Sequence, residues 1–225
     1  SWKLKEGITS INGYNVRPGD VKFKNLRDDE SSTNVITSGD NTFDNPGDRK
    51  VIGNNTPRYL YGITLGANFK GFDLNVFMQG TGKRDAWIAN NLKFPLYSDF
   101  KFIALYKDLG NYWKPVDAAN GDYTAANPNA EFPRIYGNYG NQGSNYRQSD
   151  KYLSDASYFR IKNVTLSYTF PKAWITKASL SQLKAFVSIE NLATFSSLPK
   201  GIDPETLSWN YPAFRTVSFG LNVTL

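Results

Sequence analysis

A Tyr-rich segment near the middle of the chain carries the side chains best suited to contacting a ligand. Residues 120–148 read NGDYTAANPNAEFPRIYGNYGNQGSNYRQ. Aromatic rings beside amides and guanidinium groups suit the faces and hydroxyls of a sugar, or the backbone of a peptide. The candidate ligand-binding residues are Tyr123, Arg134, Tyr136, Tyr139, Tyr146 and Arg147. The alternative is that these residues fold a long loop onto itself or onto a neighbour, as many loop aromatics do.

The residue types on which many enzymes depend are missing. The chain has no His and no Cys, so it holds no His-based catalytic triad, no His-ligated metal and no thiolate metal site. It also lacks the G-x-S-x-G motif and a phosphate-binding loop. The sequence therefore predicts that the protein is not an enzyme, and it predicts no catalytic residue and no cofactor.

Acidic residues in the first quarter of the chain could offer oxygen ligands to calcium. They form two groups, Asp28, Asp29 and Glu30 followed by Asp40, Asp44 and Asp48. This spacing lacks the alternate ligand positions and the central Gly of an EF-hand loop. A solvated, charged loop is therefore the favoured interpretation, and we predict no metal site.

The net charge of +6 does not indicate a nucleic-acid-binding protein. Residues 1–56 carry eight Lys and Arg and eight Asp and Glu, and the remaining positive excess is scattered singly along the chain. No run of basic residues forms a stripe that could follow a phosphate backbone. We expect a solvated surface of mixed charge and no nucleic-acid partner.

Five segments alternate apolar and polar residues with the period of two that a β-strand requires. The predicted strands cover about residues 57–70, 72–81, 158–170, 183–195 and 215–225. The last of them places Val217, Phe219 and Leu221 on one face, with small or polar residues between them. Such strands suit a transmembrane β-barrel, because lipid wets one face and an aqueous lumen the other. An aromatic content of 15% agrees, since Tyr and Trp collect at membrane interfaces.

The alternation breaks at the start of the third predicted strand. Arg160 and Lys162 share the face of Val164 there, while two apolar residues lie opposite. This pattern predicts either a β-bulge or a strand end that stands above the lipid in water. In the fourth predicted strand, Lys184 and Glu190 fall on the polar face, which we expect to line the lumen.

Connection lengths assign the two ends of the predicted strands to the two sides of the membrane. Outer-membrane barrels have short periplasmic turns and long extracellular loops. The short connections are Lys70-Gly71 and about residues 171–182, and the long ones are residues 1–56, about 83–157 and about 197–213. We therefore expect the C-terminus at the periplasmic end. We also expect Phe69, Phe72 and Trp174 at the periplasmic rim, where an aromatic girdle belongs.

The domain organisation follows from this assignment. Residues 1–56 are predicted to be an extracellular loop region. Residues 57–225 are predicted to be C-terminal barrel strands, interrupted by a long extracellular loop at about 83–157. Five strands cannot close a membrane barrel, since an open edge would leave backbone groups unpaired in hydrocarbon. The chain begins with Ser1 and shows no secretion signal, so we expect an N-terminal plug and earlier strands upstream.

Five stretches together resemble the C-terminal part of SusC/RagA-type TonB-linked outer-membrane transporters. They are PGDVKFKNL at 18–26, DRKVIGNNTPRYLYGITLGANFKGFDLNVFMQGTGKRD at 48–85, NYRQSDKYLSDASYFRIKNVTLSYTFP at 145–171, SIENLATFSSLPKGIDPE at 188–205 and YPAFRTVSFGLNVTL at 211–225. Their order and spacing are similar to those of the family. The resemblance covers most of the chain.

The resemblance implies an all-β fold, a transmembrane antiparallel β-barrel of about 22 strands, of which this chain supplies about five. It implies a SusD-like lipoprotein that closes over the extracellular mouth. It also implies energy from the TonB complex, reached through the missing N-terminal part. Such transporters import oligosaccharides or peptides across the outer membrane of a Gram-negative bacterium, in contact with its lipid. Two transporter–lipoprotein pairs could associate as a dimer.

Two features depart from the family pattern. Members commonly follow PGDVKYKD with a segment that looks like a calcium loop. Here the segment LRDDESSTNVITSGDNTFDNPGDRKVIG is longer and lacks that order of ligands. Members usually end in an aromatic residue, whereas this chain ends in Leu225. The first departure agrees with the prediction of no metal site.

Two other classes of function remain open from the residues alone. Alternating strands with aromatic loops also describe a surface glycan-binding β-sandwich that performs no transport. A passive porin would share the barrel but would lack the plug and the TonB box.

Overall fold

The computed structural model describes residues 10–11, 13–26, 35–40, 42–88, 94, 110–136, 145–207 and 213–225. The chain divides into two units. The loop unit comprises Ser1–Ile52 and Ile88–Tyr152, and the sheet unit comprises Gly53–Trp87 and Leu153–Leu225. Among the described residues, no helix is long and apolar enough to cross a membrane.

Extended backbone dominates the described residues, and the described helices are single turns. The strands are β1 (Ser10–Ile11), β2 (Tyr14–Asn15), β3 (Val35–Ile36), β4 (Tyr59–Phe69), β5 (Phe72–Gly82), β6 (Asp85–Trp87), β7 (Pro115–Asp117), β8 (Asp122–Ala125), β9 (Leu153–Asp155), β10 (Tyr158–Thr169), β11 (Gln182–Ser196) and β12 (Thr216–Thr224). The helical turn α1 covers Lys172–Ile175.

Five long strands form the main sheet of the sheet unit. Their order is β12-β11-β10-β5-β4, and every neighbouring pair is antiparallel. They are the five predicted strands, and their ends lie within two residues of the predicted ends. The shortest has 9 residues and the longest 15, which suffices for a tilted strand to cross a bilayer. Within the described chain, the outer edges of β4 and β12 have no strand partner.

The shortest connection is the predicted turn at Lys70-Gly71. Both residues have positive φ, +45° and +87°, which is the geometry of a type I′ hairpin turn and matches the twist of the strands it joins. The turn sets Phe69 opposite Phe72. The connection from β10 to β11 contains α1 and a 3-10 turn at Thr176–Ala178, neither of which the sequence predicted.

The last strand ends at the same end of the main sheet as these short connections. Thr224 pairs with Gln182, the first residue of β11. Leu225 follows and is 89% exposed. Nothing in the structure explains why a Leu stands there in place of the family's usual aromatic residue.

One face of the main sheet is apolar across all five strands. The register places one residue of each strand side by side in a row from β4 to β12: Leu65, Val76, Val164, Ile189 and Val217. Side chains of this face are open, since Leu65 is 57% and Val217 50% exposed. A soluble β-sandwich covers such a face with a second sheet. An exposed apolar face of this extent suits contact with lipid instead.

Aromatic rings mark both ends of this apolar face. Near the short turns, neighbouring ring centroids lie 4.6 to 6.3 Å apart in the row Phe72, Tyr168, Phe170 and Trp174. Near the other end, the spacing is 6.1 to 6.5 Å in the row Tyr61, Phe159 and Phe195. The two rows are eight residue steps apart along β5, which is about 26 Å of strand. This length is comparable with the apolar band of an outer-membrane barrel, about 25 Å tall between two aromatic girdles.

A β-bulge in β10 keeps the two faces distinct. The register of β10 against β5 shifts between Ile161 and Asn163, so that Lys162 is an extra residue. Beyond the bulge, Ile161 returns to the apolar face and Arg160 pairs with Gln79 on the polar face. The bulge predicted from the broken alternation is therefore confirmed. If Lys162 occupied an ordinary position of the ladder instead of the bulge, Arg160 would lie on the lipid side.

The loop unit has a hydrophobic core of its own, although the sequence predicted long loops for these segments. β1 lies between β2, which is antiparallel to it, and β3, which is parallel, and β7 pairs with β8. In the core, Phe94 stacks on Tyr146 and meets Tyr152 edge-on, each with ring centroids 4.7 Å apart. Phe94 and Tyr152 are almost fully buried. These segments form a packed unit, and their extracellular location stays a prediction.

Deleting Ile161 should bring a cation to the lipid side of β10. If the bulge is kept, Arg160 takes the apolar position opposite Met78, and if the bulge is lost, Lys162 takes it. A cationic side chain on that face costs about 2–4 kcal/mol at mid-membrane and less near an interface. We expect the folded, heat-modifiable fraction in the outer membrane to fall by roughly tenfold, the factor that corresponds to about 1.4 kcal/mol. Gel migration of unheated samples measures this fraction.

The matched control is deletion of Lys162, which also removes one residue but leaves Ile161 opposite Met78 and Arg160 opposite Gln79. It should fold nearly as well as the unaltered chain, because only one partly exposed ion pair is lost. If the two deletion variants fold equally well, the alternation of β10 does not determine which face meets lipid.

Candidate functional site

A turn at residues 18–20 organises the loop unit. Gly19 has a φ of +88°, a conformation that favours glycine. The Trp113 ring packs against this glycine so closely that a Cβ at position 19 would lie 2.4 Å from two of the ring carbons. Any larger residue would therefore displace the ring, and the turn fixes where Trp113 lies.

The Asp20 carboxylate of this turn joins segments that are distant in the sequence. It accepts a hydrogen bond from the N–H of Arg17 at 2.8 Å. It also accepts the hydroxyl of Tyr136 at 2.7 Å and the side-chain amide of Asn145 at 2.9 Å, which lie 116 and 125 residues away in the chain. Asn145 is fully buried, and its Oδ1 accepts the N–H of Val21 at 2.9 Å. The protein itself thus supplies the donors that a carboxylate requires.

Arg134 holds the ring of Tyr136 in place. Its N–H donates to the Gly19 carbonyl at 2.9 Å, and its guanidinium donates to the Pro18 carbonyl at 3.1 Å. The guanidinium carbon lies 5.1 Å from the centroid of the Tyr136 ring and 5.5 Å from that of Trp113, within the range of cation–π interactions. Burial and the neighbouring carboxylate raise the pKa of Tyr136 well above its ordinary value. Tyr136 is therefore a neutral hydrogen-bond donor at physiological pH.

Four of the six predicted ligand-binding residues lie in the described part of the loop unit with their side chains placed. Tyr136 and Tyr146 are 8% and 9% exposed, and burial raises the pKa of Tyr146. For these two, burial supports the alternative of a loop folded onto itself. Arg147 lines a cleft. Tyr123 lies in β8, and Tyr139 lies outside the described residues. Ligand contact by the six residues stays a prediction.

Sequence patterns did not identify Asp20, Asn145 and Trp113, on which this arrangement depends. Asp20 and Asn145 belong to two of the stretches that carry the family resemblance, PGDVKFKNL and NYRQSDKYLSDASYFRIKNVTLSYTFP. Their position in those stretches is the sequence signal that could have identified the two residues. No local pattern relates Trp113 to Gly19, because the two residues meet only in the folded unit.

The described part of the loop unit includes two clefts of interest. The first has a volume of about 440 Å³ and a balanced set of charged lining residues: Lys22, Lys24, Lys151, Asp20, Glu131 and Asp150. The second is larger, about 540 Å³, and its lining is more basic than acidic. Volumes of this size are typical of sites for small ligands.

An ion cluster lies on the polar face of the main sheet, around Arg160. Only 2% of Arg160 is exposed. Its Nη2 donates to Asp203 at 2.9 Å, its Nη1 donates to Glu205, and its Nε donates to the Thr194 hydroxyl at 2.9 Å. Lys162, the bulge residue, donates to Glu205 at 2.9 Å. The buried guanidinium is therefore neutralised by two carboxylates.

This cluster fixes the connection between β11 and β12 against the sheet. Asp203 accepts the N–H of Glu205 at 2.8 Å and that of Ala213 at 3.2 Å, in addition to Arg160. Burial works to raise the pKa of the Asp203 carboxyl, but these N–H groups and the guanidinium hold the pKa below its usual value. Asp203 is therefore ionised at neutral pH, and the connection stays attached.

The residues predicted to line the lumen lie on the polar face. The Nζ of Lys184 is 3.1 Å from the Oδ2 of Asp73, reaching across β10. Glu190 pairs with Asn163 in register, and the amide of Asn163 donates to the Ser188 hydroxyl at 3.1 Å. Ion pairs, amides and hydroxyls on one face suit the aqueous side of a barrel wall.

Two of the acidic residues considered as calcium ligands, Asp40 and Asp48, make other contacts. Asp48 accepts the N–H groups of Leu26 and Thr37 at 2.8 and 2.9 Å. Asp40 accepts the hydroxyl of Thr42 at 2.6 Å. The three acids at residues 28–30 lie outside the described residues. Within the described ranges, no group of three or more metal-ligating side chains comes together.

The chain is similar in sequence and in structure to known proteins, although no protein-family model matches it. The TonB-dependent receptor P3 of Formosa agariphila is 30% identical over 192 residues, which cover 78% of this chain and 17% of the relative. The TonB-dependent receptor P26 of the same organism is 23% identical over 239 residues, covering 100% of this chain and 21% of the relative. The structure of the RagAB peptide transporter matches with a TM-score of 0.58 and 20% identity, over 80% of this chain and 18% of that chain.

The chain belongs to the SusC/RagA-type TonB-dependent transporters. The family resemblance noted in the sequence is thereby confirmed, and so is the predicted all-β fold of a transmembrane antiparallel barrel segment. The chain spans about a fifth of the length of the curated relatives it matches. The main sheet is a section of the barrel wall of a TonB-dependent transporter, with its apolar face toward lipid and its polar face toward the lumen.

Breaking the ion cluster of this TonB-dependent transporter should release the connection between β11 and β12. Asp203→Asn removes one of the two carboxylates that neutralise buried Arg160. We expect the free energy that holds the connection against the sheet to fall by about 3 kcal/mol. Limited proteolysis should then cleave residues 197–207 much faster. The control is Glu131→Gln, a change of the same charge in the loop unit. Equal cleavage rates in all three proteins would show that the cluster does not hold the connection.

Replacing Tyr136 with Phe separates packing from ligand contact. The ring and its contact with Arg134 remain. Asp20 loses one hydrogen-bond donor, which lowers the free energy of unfolding by about 1–2 kcal/mol. We expect faster hydrogen exchange in the loop unit and little change in affinity for a bound oligosaccharide or peptide. Tyr14→Phe, at an exposed position, is the matched control. A loss of affinity with unchanged exchange would instead assign Tyr136 to the ligand.

Proposed function

We propose that the chain forms the C-terminal section of the barrel of an outer-membrane importer, which takes up oligosaccharides or peptides with energy supplied through TonB. The observation that carries this proposal is the main sheet. Its strands are long enough to span a bilayer, and its apolar face is exposed while its polar face holds ion pairs. The relatives P3 and P26 are TonB-dependent receptors, and RagAB is described as a peptide importer. These names fit a protein that is not an enzyme.

The outer membrane of a Gram-negative bacterium is the proposed location. Residues 1–56, 83–157 and 197–213 are assigned to the extracellular side, and the turns at residues 70–71 and 171–182 to the periplasmic side. Two aromatic rows at opposite ends of the sheet support a membrane-spanning placement, because aromatic girdles stand at both interfaces of such barrels. The short turns and the end of β12 lie together at the proposed periplasmic end.

The partners follow from the family. A SusD-like lipoprotein closes over the extracellular mouth, and the TonB complex acts through an N-terminal part that these 225 residues do not include. Two such transporter–lipoprotein pairs associate as a dimer. RagAB supports the presence of a second component, since its structures are described in closed-closed and open-open states of an importer.

In this mechanism the sheet unit and the loop unit have different tasks. The sheet unit forms a wall whose backbone groups are paired and whose ion cluster holds the β11–β12 connection. The clefts of the loop unit are the surfaces that meet the ligand. Closure of the lipoprotein captures the ligand, and TonB-driven displacement of the plug opens the path into the periplasm.

A glycan-binding β-sandwich is disfavoured by the main sheet itself. A sandwich buries one face of each sheet against the other. Here apolar side chains such as Phe219 and Leu221 are 80% and 67% exposed. Exposure of this kind would make a soluble protein associate through the sheet.

Removing the energy source tests the proposal and separates it from a passive porin. Deleting TonB, or the TonB box of the full transporter, should abolish uptake of a bound oligosaccharide or peptide and leave surface binding intact. Uptake into cells and binding to cells are measured with the same labelled ligand. Cells that carry the intact TonB system and transporter provide the control. Uptake that persists without TonB would indicate a passive pore.

A further inference from the structure

The larger cleft of the loop unit has an unbalanced charge. Four cationic side chains line it, and we call it the basic cleft: Lys24, Arg49, Lys50 and Arg147. Among the described lining residues the acids are Asp48 and Asp150, which leaves an excess of two positive charges. The smaller cleft of the same unit has no such excess. An excess of positive charge in a concave surface favours a negatively charged ligand.

One of the two acids in the basic cleft is already engaged by the backbone. Both carboxylate oxygens of Asp48 accept N–H groups, at 2.8 Å from Leu26 and at 2.9 Å from Thr37. Hydrogen bonds from donors such as these stabilise the carboxylate where it is. Asp48 is therefore a fixed negative charge in the wall of the cleft, and the four cations outnumber it and Asp150.

Arg147 has a hydrogen-bonding group that the described chain does not satisfy. Its Nε is buried from water and has no partner among the described residues, and the same holds for the hydroxyl of Ser149, which also lines the cleft. The guanidinium carbon lies 5.8 Å from the centroid of the Tyr14 ring, which orients the planar group. A buried donor without an acceptor is unfavourable, and an anionic ligand would supply the acceptor.

We propose that the basic cleft binds a carboxylate group of the imported ligand, with Arg147 as the main partner and with Lys24 and Lys50 as supporting cations. The two oxygens of a carboxylate match the paired N–H groups of a guanidinium. Leu26 and Ile52, each about a third exposed in the lining, accommodate apolar atoms next to that carboxylate. This inference rests on the function proposed above and adds that the ligand is anionic. The carboxylate belongs to a uronic acid unit or to an acidic peptide, and its contacts are the same in both cases.

Binding to the purified full transporter in detergent tests the proposal with two matched pairs of probes. One pair is an oligomer of galacturonic acid and an oligomer of galactose of the same length. The other is a Glu-containing peptide and the same peptide with Gln. We expect the acidic member of at least one pair to bind about tenfold more tightly, and less so as salt screens the charges. Equal binding within both pairs would overturn the proposal, and the preferred pair identifies the source of the carboxylate.

Substitutions assign the preference to the basic cleft. Arg147→Gln should reduce it about tenfold, and Arg147→Lys should reduce it less, because the charge remains while the paired donors are lost. Arg147 packs on Tyr14, so a second variant with Lys24→Gln and Lys50→Gln changes only exposed side chains. Lys177→Gln removes the same kind of charge from the sheet unit and should have no effect. A preference that survives in both cleft variants would overturn the proposal.

The binding measurement needs no energy source, so its outcome is distinct from that of the transport experiment. TonB-dependent uptake with no preference for acidic ligands would overturn this inference and leave the proposed function standing. A preference for acidic ligands together with uptake that persists without TonB would overturn the proposed function and leave the cleft assignment standing.

Discussion

The structure depends on one constraint, which is that every strand of the main sheet must present an apolar face to lipid and pair its backbone groups at the same time. A period of two satisfies the first demand only while the register is unbroken. β10 meets both demands by means of the bulge at Lys162, which restores Ile161 to the apolar face after one extra residue. The strand pairing then continues on both sides to Tyr158. The bulge thus allows β10 to keep both its apolar face and its backbone pairing along the whole strand.

The ion cluster is a consequence of the same bulge. Burying a guanidinium is unfavourable unless its donors and its charge are matched. Because the bulge turns Arg160 to the polar face, its three donor positions reach Asp203, Glu205 and Thr194. The two carboxylates belong to the connection between β11 and β12, so the charge of the wall determines where that connection lies. Lys162 bonds to Glu205 and therefore links the bulge directly to the segment it positions.

Long strands and the bulge could be predicted from the sequence because both leave a pattern among neighbouring residues. Alternation over nine or more residues identified each strand of the main sheet, and its failure at Arg160 indicated either a bulge or a strand end in water, of which the structure shows the bulge. The one-turn helix α1 and strands such as β1 have two to four residues, too few for a period to be recognised. The arrangement around Asp20 could not be predicted either. Its carboxylate meets Tyr136 across 116 residues of chain, and only folding brings such residues together.

The placement of charge distinguishes the two units more sharply than their apolar residues do. On the polar face of the sheet, cations and anions are paired, as in Arg160 with Asp203 and Lys184 with Asp73. Paired charges attract no further partner, so that face offers little to hold an anion passing along it. The basic cleft has four cations and two acids, and one of those acids is engaged by the backbone. The loop unit as a whole carries a net charge of only +1, so the cationic excess of the basic cleft arises from where folding places its side chains.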